Sequence, residues 1–145
     1  MIRRMEVTDA PAVWQIITRS LGYDCSLETV ERRIGTLAPD THYLSLVWVN
    51  EGSQKVEGFL HACRYETLHR PGGWDVISLA VLPEAQGSGV GTELLAHFED
   101  EARRLGGTYV RLNSRVERTS AHAFYEHRGY LCDKTQKRFI KQFDL

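Results

Sequence analysis

An apolar run followed by a helical repeat occupies the middle of the chain. Residues 76–81 read Val-Ile-Ser-Leu-Ala-Val, which predicts a buried strand. From Glu93 to Leu105 the apolar residues recur every three or four positions, which predicts an amphipathic helix. The apolar side of this helix consists of Leu94, Leu95, Phe98, Ala102 and Leu105. The connection between strand and helix, residues 82–92, contains three glycines.

Similar patterns predict shorter elements on both sides of this unit. Before it we predict a strand over residues 2–5, a helix with Pro11 in its first turn, and a second helix from Ser26 to about Leu37. Two strands follow, over residues 42–49 and 56–65, joined by a hairpin turn. After the unit we predict a strand over residues 108–113, a helix near residues 120–128 and two final strands, the last over residues 137–143.

Length and charge narrow the class of protein. With 145 residues, the chain is expected to form one domain over residues 1–145. The formal net charge of −1 offers no basic field for nucleic acid or an anionic membrane, so neither is expected as a partner. Cys25, Cys63 and Cys132 are too widely spaced for a metal site and predict reduced thiols. The sequence contains no apolar run that fits a signal peptide or a bilayer-spanning segment. Together with the reduced thiols, this absence predicts a cytoplasmic protein.

The connection between the buried strand and the amphipathic helix has the chemistry of an anion receptor. Glycines let main-chain N–H groups approach an anion closely, and the start of the helix carries the positive end of its dipole. We therefore predict that this connection binds the phosphates of a cofactor. The predicted binding residues are Gln86, Gly87, Ser88, Gly89, Val90, Gly91 and Thr92.

The spacing of these glycines excludes two common phosphate-binding motifs. A dinucleotide fingerprint needs a third glycine at position 92, where the chain has Thr92, and an acidic residue after the next strand, where it has Asn113. A Walker loop needs a lysine, and the chain has none between Lys55 and Lys134. The cofactor is therefore expected to be of another kind.

Two motifs resemble those of the GCN5-related N-acetyltransferase family. Gln86-x-x-Gly89-x-Gly91 resembles the Gln/Arg-x-x-Gly-x-Gly/Ala motif with which this family binds acyl-CoA. Asn113 and the later run Ala-x-x-Phe-Tyr-x-x-x-Gly-Tyr, at residues 121–130, are similar to the family's second motif. The resemblance implies an α/β fold with a mixed, mostly antiparallel central sheet flanked by helices on both faces.

The same resemblance implies an activity. The family transfers an acetyl group from acetyl-CoA, its co-substrate, to a primary amine of a small molecule or peptide, by direct attack in a ternary complex and without a metal. An alkylammonium has a pKa of about 10 and must lose a proton before it attacks. The oxyanion that forms needs a preset N–H donor, and the leaving CoA thiolate needs a proton.

The family motifs assign roles to individual residues. Tyr125 is expected to be the acid that protonates the thiolate, and Phe124 is expected to pack beside the pantetheine arm. Ala80 and Val81 are expected to contact the cofactor through their main chain, and a main-chain N–H near Val81 should bind the oxyanion. Asn113 is expected either to hydrogen-bond the pantetheine or to cap its own strand.

The group that removes the proton from the amine has three candidates. Asp75 stands six residues before Val81, where some family members carry a glutamate that works through water, but it also fits a solvated strand end. His61 on the preceding strand is a rival, although a single strand histidine is more often structural. Loss of the proton to ordered water, without an essential base, is the third possibility.

Two other classes of function stay open at this stage. The chain would be a non-catalytic CoA-binding sensor or interaction module if it bound the cofactor without transfer. It would be a plain interaction domain if the glycine connection bound no cofactor. The resemblance also implies a possible homodimer, because members of this fold often pair.

Overall fold

The computed structural model describes residues 1–144 and separates them into two compact units, Met1–Asn113 and the residues from Ser114 onward. The strands of the first unit are β1 (Ile2–Arg4), β2 (Tyr43–Val49), β3 (Val56–Tyr65), β4 (Gly73–Val81) and β5 (Val110–Leu112). Its helices are α1 (Ala10–Ile16), which continues as a π-helical turn (Ile17–Leu21), α2 (Leu27–Leu37) and α3 (Val90–Arg104).

The five strands form one sheet in chain order, β1-β2-β3-β4-β5. The first three pairings are antiparallel, and β4 pairs with β5 in parallel. The parallel pair is the one that needs a crossover connection, and α3 supplies it. The predicted mixed, mostly antiparallel sheet is confirmed.

Helices cover both faces of this sheet, also as predicted. On one face, α1 and α2 pack with Phe59 of β3 and Ala80 of β4 in a common apolar cluster. On the other face, α3 buries Phe98 against Trp74 of β4, with ring centroids 6.0 Å apart in an edge-to-face arrangement. Successive strand residues point to opposite faces, so the apolar run of residues 76–81 supplies both cores.

The second unit contains α4 (Thr119–His127) and a segment without regular secondary structure up to residue 144. The two final strands predicted from the sequence, including residues 137–143, are therefore wrong for this structure. Three apolar residues of that stretch, Phe139, Ile140 and Phe143, are largely exposed. An apolar pattern can favour a strand, but a strand forms only where a neighbouring strand accepts its hydrogen bonds.

No helix within residues 1–144 is both long enough and apolar enough to span a bilayer.

Candidate active site

Strand β4 has an edge that β5 covers only in part. The β4–β5 pairing ends at Val76 and Leu112, whereas β4 itself continues to Val81. A bulge at Ile77, opposite His61 and Ala62, precedes the uncovered part. Within residues 1–113, the last five residues of β4 are thus paired in the sheet on one side only, along β3.

Alternation along the strand decides which main-chain groups face this open edge. The N–H of Leu82 donates to the carbonyl oxygen of Glu57 at 2.8 Å, and Ala80, two residues earlier, therefore also faces β3. Leu79 and Val81 turn their main-chain groups the other way. Of the two residues predicted to contact the cofactor through their main chain, Val81 lies on this open edge together with Leu79, and Ala80 pairs with β3.

The carbonyl oxygen of Val81 already has two donors. The hydroxyl of Ser20 donates to it at 2.7 Å, and the side-chain amide of Gln86 donates at 3.2 Å. Gln86 therefore folds back onto the end of β4 and stabilises the connection to α3. Since the acceptor at Val81 is occupied, the group that this residue turns to the open edge is its N–H donor.

The glycine connection forms an open cradle at the start of α3. Gly87 and Gly89 have φ angles of +81° and +91°, a left-handed backbone that L side chains rarely adopt. A Cβ at either position would meet no atom within 4 Å, so the space beside both residues is open. Gly89 is the N-cap of this 15-residue helix, and no side chain caps it. Open space, left-handed glycines and an uncapped helix start together fit a phosphate group.

Two further contacts fix the residues before the cradle. Ser88 donates a short hydrogen bond from its hydroxyl to the carbonyl oxygen of Ala85. Arg19, in the π-helical turn, holds both carboxylate oxygens of Glu84 at 3.0 and 2.8 Å. With the bond from Ser20, this pair ties the π-helical turn that continues α1 to the connection, so the cradle is braced by that turn.

A charged group lies at the other end of β4. Asp75 is half-buried, and its carboxylate accepts a hydrogen bond from Arg111 of β5 at 3.2 Å. Burial raises the pKa of Asp75, and the charge of Arg111 opposes that rise only in part. The guanidinium of Arg111 also donates to Asn113 at 3.2 Å and lies 4.4 Å from the ring centroid of Tyr65. Two sequence-predicted site residues, Asp75 and Asn113, are thus joined by an arginine that the sequence analysis missed.

A second polar group lies beside the first on the same face of the sheet. His61 of β3 pairs in register with Ser78 of β4, and its Nδ1 lies 2.7 Å from the hydroxyl of Ser45 on β2. The ring of Tyr43 stacks on the imidazole at 5.5 Å with an interplanar angle of 7°. Burial, assisted by the charge of Arg33, lowers the pKa of His61. The only sequence signal for this group was a histidine and a serine inside otherwise apolar strands.

In the second unit, α4 carries the two aromatic residues of the later motif. The ring of Tyr125 lies edge-to-face with Phe124 at 5.3 Å and with Tyr130 at 5.9 Å. Burial raises the pKa of Tyr125, and the charge of Arg118 partly opposes the rise. The phenol is therefore protonated at neutral pH, which is the form an acid requires.

No group of three or more His, Cys, Asp and Glu side chains among residues 1–144 is arranged to hold a metal ion. All three cysteines, Cys25, Cys63 and Cys132, are free thiols.

The chain is similar to known acetyltransferases over nearly its whole length. The sequence pattern of the acetyltransferase (GNAT) family matches residues 5–130. An aminoalkylphosphonate N-acetyltransferase from Salmonella typhimurium is 28% identical over 144 residues, which cover 97% of this chain and 89% of that protein. A ribosomal protein alanine N-acetyltransferase from Escherichia coli is 26% identical over 89% of this chain and 79% of its own length.

Solved structures show the same fold. The crystal structure of an aminoglycoside antibiotic 6'-N-acetyltransferase from Acinetobacter haemolyticus superposes with a TM-score of 0.83 over 99% of each chain, at 17% sequence identity. A protein from Agrobacterium tumefaciens, described as a putative acetyltransferase, reaches a TM-score of 0.85 over 97% of this chain and 99% of its own, also at 17% identity.

Proposed function

Since this chain belongs to the acetyltransferase (GNAT) family and is an acetyl-CoA-dependent N-acetyltransferase, we propose that the two ends of β4 divide the reaction between them. The end of β4 and the cradle bind acetyl-CoA, and the beginning of β4 binds the amine. The observation that carries this proposal is the open edge of β4 from Ile77 to Val81, which leads directly into the glycine cradle.

The donor half relies on main-chain groups. The N–H groups at the start of α3 and the open space beside Gly87 and Gly89 suit the pyrophosphate, which supports roles for the predicted residues 86–92. The N–H groups of Leu79 and Val81 on the open edge suit the pantetheine amides and the oxyanion. Gln86 contributes by fixing this connection through Val81 rather than by its own charge.

The acceptor half relies on side chains. Asp75 offers a half-buried carboxylate to an ammonium group, with Arg111 and Asn113 holding it in place. The amine nitrogen bonds to the acetyl carbon as the carbon–sulfur bond breaks, and the leaving thiolate takes a proton. We propose Tyr125 as the donor of that proton, supported by its protonated phenol and by its place in the later motif. Phe124 keeps its proposed role beside the pantetheine arm.

We propose a small molecule as the acceptor. The Salmonella relative, whose name specifies an aminoalkylphosphonate substrate, is matched over nearly the whole of both chains. A peptide amine is the second candidate, favoured by the name of the Escherichia coli relative. Release of CoA thiol should be measured with an aminoalkylphosphonate, an alanine-ended peptide and an aminoglycoside. Release with the peptide alone would reverse our choice, and no release with any of the three would leave the proposed acceptor class unsupported.

A matched pair of glycine variants tests the cradle. Gly89→Glu should reduce acetyl-CoA binding at least about 100-fold in calorimetric titration, because a carboxylate would enter the phosphate space and repel the anion. Gly106→Glu is the control, since Gly106 has a similar φ of +86° and open surroundings at the other end of α3. It should cost similar backbone strain and leave binding intact. Equal loss of binding in both variants would show that strain, not the cradle, is responsible.

A further inference from the structure

His61 lies beside the middle of β4, between the end proposed to bind the amine and the end proposed to bind acetyl-CoA. It pairs in register with Ser78, and Ser78 directly precedes Leu79, whose main chain faces the open edge. Strand alternation puts the side chains of His61, Ser78 and Ala80 on the α1–α2 face of the sheet. Neighbouring strands lie about 4.8 Å apart. The imidazole can therefore reach an amine bound on this face of β4 directly or through one bridging water molecule.

The imidazole is fixed in orientation by two strand neighbours. Ser45 is one of only two buried polar or charged residues identified among residues 1–144, and its hydroxyl bonds to Nδ1. Tyr43 stacks flat on the ring and prevents it from turning. No residue among 1–144 forms a hydrogen bond with Nε2. In the tautomer whose Nδ1–H donates to the serine oxygen, Nε2 carries the lone pair that can accept a proton, and the proposal requires this tautomer.

The charges around His61 keep it neutral. Arg33 of α2 is the charged group that acts on it, and it disfavours the imidazolium together with burial. From β2 it faces the phenol of Tyr43 and the hydroxyl of Ser45, and from β4 it faces Ser78, with Asp75 further along that strand beside Arg111. At neutral pH the ring is therefore in its proton-accepting form.

Asp75, the base predicted from the sequence, is less well suited to that task. Its Oδ1 is held by Arg111, which stabilises the carboxylate and opposes protonation. Burial raises the pKa of Asp75 from its ordinary value of about 3.9 and lowers that of His61 from about 6.5, so the two shifts bring the groups closer together. What separates them is the hydrogen bond from Arg111, which occupies the Asp75 carboxylate. The two groups are therefore suited to different roles, one binding the ammonium and the other receiving its proton.

We propose that His61 receives, directly or through one water, the proton that the acceptor ammonium loses before it attacks, while Asp75 binds that ammonium. The freed nitrogen lone pair forms the bond to the acetyl carbon, and the electrons of the carbon–sulfur bond leave with sulfur, which takes the proton proposed to come from Tyr125. The nitrogen then loses its second proton to water, the phenol regains a proton from water, and the imidazolium returns its proton to solvent, so that one proton is released per turnover. This inference rests on the proposed function, because it needs an amine acceptor at the beginning of β4.

The test is the pH dependence of kcat/KM for the acceptor in three variants, His61→Gln, Asp75→Asn and His97→Gln. Wild-type enzyme should lose activity as pH falls, with an apparent pKa below about 6.5. We call this fall of kcat/KM at low pH the acid limb. His61→Gln should reduce kcat/KM about 100-fold and abolish the acid limb. Asp75→Asn should raise KM and keep the limb. His97 is exposed on α3, so His97→Gln should match the wild type.

Each outcome separates the inference from the proposed function. If His61→Gln keeps the limb and Asp75→Asn loses it, Asp75 is the base and the inference is overturned. If both variants keep the limb at near wild-type rates, the amine loses its proton to solvent, and the inference again fails. If His61→Gln does not fold, His61→Asn replaces it in the same test, after its urea unfolding curve has been shown to match that of the wild type. Wild-type enzyme that releases no CoA thiol with any amine would instead refute the proposed acceptor half.

Discussion

Asp9 and Asp75 each form an ion pair with an arginine, but the pKa values of their carboxyl groups are shifted in opposite directions. Asp9 receives both branches of the Arg3 guanidinium at 2.8 Å and the N–H of Glu6 at 2.8 Å. Asp75 receives one bond from Arg111, at 3.2 Å. Burial acts to raise the pKa of both, yet the bonds to Asp9 outweigh it and lower its pKa, whereas the pKa of Asp75 stays raised.

The difference lies in how completely the charge is satisfied. The side chain of Asp9 is only 6% exposed, and its bonds close the turn between β1 and α1, so its ionised form belongs to the folded structure. Asp75 is 20% exposed, and its Oδ1 accepts one hydrogen bond, from Arg111. An incompletely bonded carboxylate can still bind a cationic ligand. Asp9 therefore forms a stabilising ion pair, whereas the bonding of Asp75 is compatible with the substrate-binding role that we propose for it.

The largest effect should come from removing the charge of Asp9. Asp9→Asn should lower the free energy of unfolding by about 3 kcal/mol, because it breaks charge-assisted hydrogen bonds of a buried group. Urea unfolding measures this change, and kcat should stay the same. Asp100→Asn is the control, since Asp100 pairs with Arg103 on an exposed helix surface and should change stability by less than about 1 kcal/mol. Equal losses in both variants would remove the distinction that we draw for Asp9.

The reverse result is expected at Asp75. Asp75→Asn should reduce kcat/KM for the acceptor about 10-fold, equivalent to about 1.4 kcal/mol, because the ammonium loses its counter-charge. The free energy of unfolding should change little, since the desolvation cost of the charge disappears together with its single bond to Arg111. Steady-state kinetics and urea unfolding on the same preparation would check both statements. A stability loss as large as that of Asp9→Asn, with unchanged kinetics, would make Asp75 structural.

The smallest effect, and the most direct test of the two pKa directions, is the pH dependence of stability. The folded-state pKa of Asp9 lies below its ordinary value of about 3.9. Its contribution is therefore complete above about pH 4 and disappears as pH falls through the folded-state pKa. Asp75 has the opposite sign: because its folded-state pKa is raised, the fold favours its protonated form, and its contribution improves as pH falls.

Urea unfolding between about pH 5 and pH 2 should therefore give three different slopes. Relative to the wild type, Asp9→Asn should flatten the acid loss of stability, and Asp75→Asn should make it steeper. Parallel curves for all three proteins would mean that neither carboxylate has a shifted pKa in the folded state.

The sequence predicted the elements wherever local pattern and tertiary packing agree. Helix α2 begins at the predicted cap, with the hydroxyl of Ser26 accepting from the N–H of Thr29, and α3 buries Leu94, Leu95, Phe98 and Ala102 as predicted. Strand β3 has the predicted bounds, Val56–Tyr65. These features depend on residues close in sequence, so a single chain shows them.

The site was predicted less completely, because part of it depends on contacts between distant residues. The prediction named Ala80 and Val81, whereas the bulge at Ile77 and the register with β3, which no local pattern reveals, put the main chain of Leu79 on the open edge with that of Val81. Arg111 stands 36 residues from Asp75 and was overlooked, although a charged residue inside a short apolar strand was a usable signal. Ser45 and His61 lie on separate strands and meet only through the β2–β3 register.

By itself the sequence indicated the family, the cofactor class and the glycine connection between β4 and α3, because glycine spacing and helix starts act through the nearby backbone. It could not determine whether the last two predicted strands form, and residues 137–143 form none despite a favourable pattern. Tertiary structure alone decided which main-chain groups face the open edge of β4 and which carboxylate is fully bonded. The physical reason is that register, burial and pairing with a distant arginine set hydrogen bonding and pKa, and these arise only when remote segments of the chain meet.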